Sequence, residues 1–471
     1  MRRRSEGAKR RRTWRRLAAA SLVWLAALGC GHTGEATARR HMHGVERGLA
    51  PLPAAAELPP TGAAAPAVAE LDGSLVAYVR YAMAHSPQLR ARFEEWRAAT
   101  HAPREARAFP ELVIGYAGCI VGAELCVGPM GQRLGAKQWF PWPATLTKAS
   151  KAGTAAAFAA ERRFEAESLM IATEVKRAYW RLWQVRERRR VQADQVTIVR
   201  GLSELVRARV ETGAAGLGAL AQVDLTIARL EDRQASLDLR EREAAAELVR
   251  ATGAPPRTPT PTTTAPPPPG ALADDEAALA RRALQHPELA ALDETVDAQT
   301  LRAAAYGARR MPSLGLGADW IIGRDATATS PERMHMLMVS ASVKVPLSFG
   351  AIRAGQDRIE AEAAATRARQ IAAQQAILAD LAVALARLDD ATRRVELYSG
   401  TLQPQAETAL GSLQGAFQAG EAGLSDLLLV ERDLLDIELA RVDASVDYAI
   451  ALAELEALLG RASPEDGVDV P

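Results

Sequence analysis

The chain has 471 residues, with 58 lysines and arginines against 57 aspartates and glutamates, for a formal net charge of +1. That balance excludes nucleic-acid binding by bulk charge, and electrostatics name no other partner. Hydrophobic residues make up 48% but aromatics only 5%; a chain so rich in Ala, Leu and Arg suits long helices packed along one another rather than one globular core.

Arg2 to Arg16 is strongly cationic, and Leu17 to Leu28 is an apolar run too short to span a bilayer, with Gly29-Cys30 directly after it. Residues 1–29 read as a signal peptide ending in a lipobox, with Cys30 as the lipidated first residue of the mature chain. The residue three before the cysteine is Ala27 rather than a branched one, which leaves ordinary cleavage nearby or an uncleaved anchor as the alternatives. Residues 30–71, rich in Ala, Pro, Gly and Thr, are expected to form an extended, flexible lead-in.

Asp72 to Ala108 is predicted helical with a break at Pro87. Strands are predicted over 111–119 and 131–140, because Leu112, Ile114 and Tyr116 alternate with Val113, Gly115 and Ala117. Cys119 and Cys126 lie in the loop between them. Either they form a local disulfide in an exported protein or they stand as two free thiols. Helices are then predicted over 144–212, with Ile171, Val175, Ala178 and Leu182 at helical spacing, and over 216–252. The first of these would reach about 100 Å if straight.

Residues 254–273 form a proline- and threonine-rich connector that cannot be helical. From 274 to 462 the pattern of 72–253 repeats. His286-Pro287-Glu288-Leu289 answers Ser86-Pro87-Gln88-Leu89, and Met311-Pro312-Ser313-Leu314 answers Phe109-Pro110-Glu111-Leu112. Strands are predicted over 312–323 and 334–345, and helices over 352–419 and 424–460, with a kink or local break at Pro404; residues 463–471 are a tail. The turn Gly213-Ala214-Ala215-Gly216-Leu217 is matched by Gly420-Glu421-Ala422-Gly423-Leu424. A period this long is a duplicated supersecondary unit.

The strands alternate an apolar row with a small or polar one, and Trp139, Trp142 and Trp320 sit near their ends. That pattern fits both a membrane barrel and the amphipathic sheet of a soluble domain. Four strands cannot close a barrel, so a barrel reading requires a protomer that supplies a sector.

In order and duplication, the Pro-(Gln/Glu)-Leu segments, the Pro-x-Leu strand starts, Val345-Pro346-Leu347 before the second long helix, and the glycine turn followed by Asp426-Leu427-Leu428 resemble the TolC family of trimeric outer-membrane efflux ducts over residues 72–462. The resemblance implies a mainly α fold with a membrane β-barrel. Three copies supply four strands each to one barrel in outer-membrane lipid, above a helical tube in the periplasm. The implied partners are two further copies of the chain, a periplasmic adaptor (membrane fusion protein) and an inner-membrane pump, and the implied function is passive export of small molecules or heavy-metal ions. The glycines Gly213, Gly216, Gly420 and Gly423 fall at the periplasmic tip. Family members close that end with polar and charged residues, whereas the corresponding positions Phe417, Ala422, Leu429, Gly218 and Ala219 are uncharged. The resemblance then implies a steric or apolar constriction at Phe417 and Leu429. A polypeptide-secretion duct of the same fold and a lipid-anchored periplasmic coiled-coil scaffold are the rival readings; the paired amphipathic strands speak against the second.

No phosphate-cradling glycine loop, nucleophile elbow or His-Glu-x-x-His pattern is present, so neither an enzyme nor a cofactor is expected. Two clusters carry soft or borderline metal ligands. His32, His41 and His43 lie in the lead-in, and Met334, Met336 and Met338 share one face of a strand. The competing reading is a polar tail that carries histidines and methionines that fill a wall.

Overall fold

A computed structural model of the chain describes residues 32–50, 71–118, 130–213, 215–256, 258–260, 263–270, 272, 274–324 and 333–461. The elements are α1 (His32–Glu46), α2 (Leu75–His85), α3 (Pro87–Glu105), β1 (Val113–Gly118), β2 (Met130–Phe140), α4 (Pro143–Glu211), α5 (Leu217–Thr252), α6 (Glu276–Ala283), α7 (Pro287–Gly307), β3 (Ser313–Arg324), β4 (Arg333–Lys344), α8 (Phe349–Leu397), α9 (Gln403–Ala419) and α10 (Leu424–Leu458). The two repeats therefore share one element order. Cys30, Cys119 and Cys126 lie outside the described residues.

The lead-in differs from its expected extended form. Residues 32–46 are the helix α1, which buries Glu35, Ala38, Met42 and Val45, a stripe at spacings of three and four. The acid inside that stripe is satisfied. Glu35 is paired with Arg107 and, at 3.0 Å, with Arg39.

The chain divides into two compact units. The first comprises Met1–His43, Glu94–Arg162 and Ala290–Ile371, and holds the sheet. Its four strands are antiparallel in the order β1-β2-β3-β4, with Ile114 opposite Ala136, Leu134 opposite Trp320, and Trp320 opposite Leu337. The outer edges of β1 and β4 have no strand partner among the described residues.

The second unit comprises Gly44–Phe93, Arg163–Leu289 and Ala372–Pro471. One apolar cluster joins Leu279, Ala283 and Leu289 to Ile377, Leu381, Ala384, Leu388 and Ala391 of α8 and to Tyr448, Ala451 and Leu455 of α10. A second joins Val191, Val196, Val199 and Val206 of α4 to Val223 and Leu230 of α5, Phe417 of α9, and Leu427 and Leu435 of α10. The helical spacing read from Ile171, Val175, Ala178 and Leu182 is thus a buried seam. Pro404 acts as expected. It lacks the N–H that would bond residue 400 and its ring crowds that carbonyl, so the helix widens into the π-helical stretch Tyr398–Leu402 just before it. The proline-rich connector is held down by hydrogen bonds: Thr264 donates its backbone N–H to the Tyr179 hydroxyl (2.8 Å), and Gly270 donates to that of Tyr448 (3.0 Å).

Lys176 of α4 donates to Glu456 of α10 at 2.6 Å, with both side chains buried. Removing one partner leaves an uncompensated charge in a poorly hydrated site, at about 3–5 kcal/mol, whereas replacing both by apolar groups of similar volume is close to neutral. Lys176→Met should therefore lower the thermal unfolding midpoint followed by circular dichroism, and Lys176→Met/Glu456→Leu should recover most of the loss. A double variant as unstable as the single one would refute that account.

Candidate functional site

Two places concentrate the candidate residues: the sheet and the helical turns. Strand register sorts the sheet into two faces. Ile114, Tyr116, Leu134, Leu314, Leu316, Trp320, Leu337, Val339 and Val343 fall on one, and each is between 43% and 76% exposed. On the other lie Arg133, Lys137, Trp139, Asp319, Ser340, Ser342, Lys344 and the three methionines.

The apolar face is the bare one. On β3 the outward residues Leu314, Leu316 and Trp320 are exposed, while the inward Gly315, Asp319 and Ile321 are buried under side chains of the flanking strands. Arg133 donates Nε and Nη2 to the two carboxylate oxygens of Asp319 at 2.9 Å each, a bidentate pair. Trp139 packs beside Gly315, where an added Cβ would meet Ser342 Oγ at 2.5 Å and the indole ring at 2.8 Å; only glycine admits that approach. Trp139 therefore does not join an outer aromatic belt with Trp320, as its place near a strand end had implied. A soluble sheet would hide its apolar face and expose its charges. This one leaves its apolar face bare and keeps the Arg133–Asp319 pair on the other, the pattern of the barrel reading.

Met334, Met336 and Met338 line the charged face and are 40–51% exposed. The histidines do not converge: His41 pairs with Glu161 at 2.8 Å, and Met42 between His41 and His43 is buried, its sulfur accepting from Thr100 at 3.6 Å. The side chain of His32 lies outside the described residues. No group of three or more His, Cys, Asp or Glu side chains among the described residues is placed to hold a metal ion.

At the turns, Gly213 and Gly420 are left-handed (φ +74° and +82°), and Gly216 and Gly423 start the returning helices in extended conformation. The helix ends are closed by backbone bonds from Ala215 to Arg209 (3.2 Å) and from Glu421 to Ala416 (2.9 Å). The second turn has one more cap, since Asp426 accepts from the Gly423 N–H at 3.3 Å; Ala219 at the matching place cannot.

Two residues that sequence reasoning missed organise this end. Arg209, in the last turn of α4, donates to the carbonyls of Phe417 (2.5 Å) and Gln418 (3.1 Å), and its guanidinium stacks 4.3 Å from the Phe417 ring centroid. It joins the ends of the two long helical runs by charge, hydrogen bonds and a cation–π contact. Phe417 is consequently buried in the protomer, whereas Leu429 is 57% exposed. Glu431 of α10 is buried among the apolar side chains of the second cluster and accepts from Gln195 Nε2 at 3.2 Å. Burial pushes its carboxyl above the usual range, opposed only by hydrogen bonds from Gln195 and Gln414. An acid whose folded pKa is raised contributes stability that is fully present below its unfolded pKa and lost as pH rises through the folded one. Glu431→Gln keeps the shape and removes the charge. It should flatten the decline of thermal stability above about pH 4.3, the ordinary glutamate value, measured by circular dichroism against pH; an unchanged slope would assign the decline elsewhere.

Residues 279–461 match the family described as outer membrane efflux protein. No curated protein sequence matches the chain. Among solved structures, CusC is similar at a TM-score of 0.69 and 16% identity, covering 88% of this chain and 99% of that one. The outer membrane protein VceC from Vibrio cholerae is similar at 0.66 and 20% identity, covering 83% and 97%. The MtrE outer membrane channel of Neisseria gonorrhoeae is similar at 0.66 and 18% identity, covering 82% and 89%. The match in sequence thus covers the second repeat, while the fold is similar to that of these structures over more than four-fifths of the chain.

Proposed function

We propose that this chain is the outer-membrane duct of a tripartite export system, a passive conduit in which three copies close one barrel and the helical turns receive a periplasmic adaptor coupled to an inner-membrane pump. The observation that carries the reading is the inside-out sheet with two open edges. Unpaired backbone N–H and C=O groups cost several kcal/mol each in hydrocarbon, so a four-strand sector persists in lipid only where neighbouring copies take up its edges. Its bare apolar face suits lipid and its charged face suits a water-filled interior.

Protein extracted from outer membranes in mild detergent should run as a trimer with a mainly helical far-UV spectrum. A stable, folded monomer in membranes would overturn the sector assignment. Cys30 is proposed as the lipid-modified first residue of the mature chain, two residues before α1 begins. Metabolic lipid labelling should disappear in Cys30→Ala, and labelling that persists would remove that anchor from the account. Cys119 and Cys126 are proposed as a disulfide within one loop.

The tip role is tested at Gly213 and Gly420. No atom lies within 4 Å of a Cβ added at either, so valine there meets no neighbour and strains only the left-handed backbone, by about 1–2 kcal/mol. Either substitution should leave trimer abundance nearly unchanged while substrate resistance falls sharply in cells that depend on the duct. If resistance merely tracks the amount of trimer, the glycines serve the fold alone. Within this reading, a constriction at this end falls to the exposed Leu429 rather than to Phe417, which Arg209 covers.

A further inference from the structure

The charged face of the sheet is not balanced. Its charged members among the described strand residues are Arg133, Lys137, Asp319 and Lys344, three cations against one carboxylate. Both oxygens of that carboxylate are engaged by Arg133. Lys137 holds its ammonium 4.4 Å from the centroid of the Trp139 ring, a contact that orients the cation without neutralising it. Lys344 is exposed at the end of β4.

Register fixes the spacing of these groups. Lys137 stands opposite Gly317, Trp139 opposite Gly315, and Lys344 opposite Ser313 across β3. The two cations are therefore about 13 Å apart along the strand direction, with the indole between them. Toward β3 and β4 they are flanked by glycines and the hydroxyls of Ser313, Ser340 and Ser342, and toward β1 Lys137 is paired with Val113. An aromatic surface between two ammonium groups suits a solute with a flat apolar body and a carboxylate, sulfonate or phosphate. It repels metal cations. The thioethers of Met334, Met336 and Met338 carry no charge and do not offset that field.

Resting on the duct reading, we infer that the inner wall of the sheet is a low-affinity guide for organic anions, with Lys137 and Lys344 setting charge selectivity and Trp139 offering the stacking surface. The preference is graded, because a wall charge facing water interacts only weakly with a passing ion. Weak contact is what conduction requires, since a solute held tightly by the wall would block it.

The test uses the purified full-length protein in planar bilayers under a potassium chloride gradient. The wild type should show a reversal potential of the sign set by chloride. Lys137→Gln/Lys344→Gln should lower the anion-to-cation permeability ratio by about twofold or more in 10 mM salt, where the screening length is roughly 30 Å. Lys137→Arg/Lys344→Arg should retain the wild-type ratio, which separates lost charge from a misassembled barrel. Benzoate should reduce the chloride current of the wild type, and less so that of Trp139→Ala. Cation preference in the wild type, or a ratio unchanged in the glutamine variant, would overturn the charge assignment; equal benzoate effects in wild type and Trp139→Ala would overturn the stacking surface. A wild-type protein with no conductance at all would overturn the duct reading beneath both.

Discussion

A backbone amide in hydrocarbon has no water to bond, and on the duct reading this one constraint organises the sheet. β2 and β3 satisfy their ladders on both sides, whereas β1 and β4 each keep an edge open within the protomer. The side chains agree with the backbone. Arg133 and Asp319 close a bidentate pair on one face, and Leu337 and Val339 stand bare on the other. Neither feature is stable for an isolated sheet in water, and both become favourable when further copies continue the ladder in lipid. On the proposed reading assembly is a condition of folding for this part of the chain, while the helical clusters have cores of their own.

The strands and the duplication were legible because both are periodic. Leu314, Leu316, Ala318 and Trp320 alternate with small or polar residues over a stretch too long for chance, and the proline and glycine signals recur in the same order 200-odd residues later. What periodicity could not convey was which way each ambiguous residue pointed. Trp139 lies near a strand end and invites assignment to an aromatic belt, yet counting along the register from Leu134 places it beside Lys137 on the charged face. Helix α1 escaped notice because Glu35 interrupts its apolar stripe. The partner that makes such an acid tolerable, Arg107, is remote in sequence. Glu431 was hidden for the same reason: only the packing of α4 and α9 around it turns an ordinary helical glutamate into a buried acid.

The two repeats are equivalent in topology but not in chemistry. Both turns use a left-handed glycine followed by an extended one, yet only the second gains a side-chain cap from Asp426. Only the second long run contains a proline beyond its first turn, and with it a five-residue π-helical stretch. The first run supplies the reaching side chain, Arg209, and the second the carbonyls and ring that receive it. Duplication produced two similar hairpins, and divergence has made one the donor and the other the acceptor of the contact that joins them. That contact sits at helix C-termini, where the helix dipole favours a cation, so it gains from Arg209 what neither turn supplies alone.

On the duct reading, a conduit that carries no energy source gains nothing from binding its cargo tightly, and the chemistry of the wall is consistent with that. The strongest polar interaction on the charged face, Arg133 with Asp319, is spent within the protein. What remains for a solute is partly open: the Trp139 ring, two ammonium groups and three thioethers, each able to make one weak contact and none able to surround a guest. Selectivity in such a wall comes from long-range charge rather than from fit, so it is broad and depends on ionic strength. If the chain is the duct proposed above, discrimination between substrates arises where cargo is enclosed, with the pump that loads it.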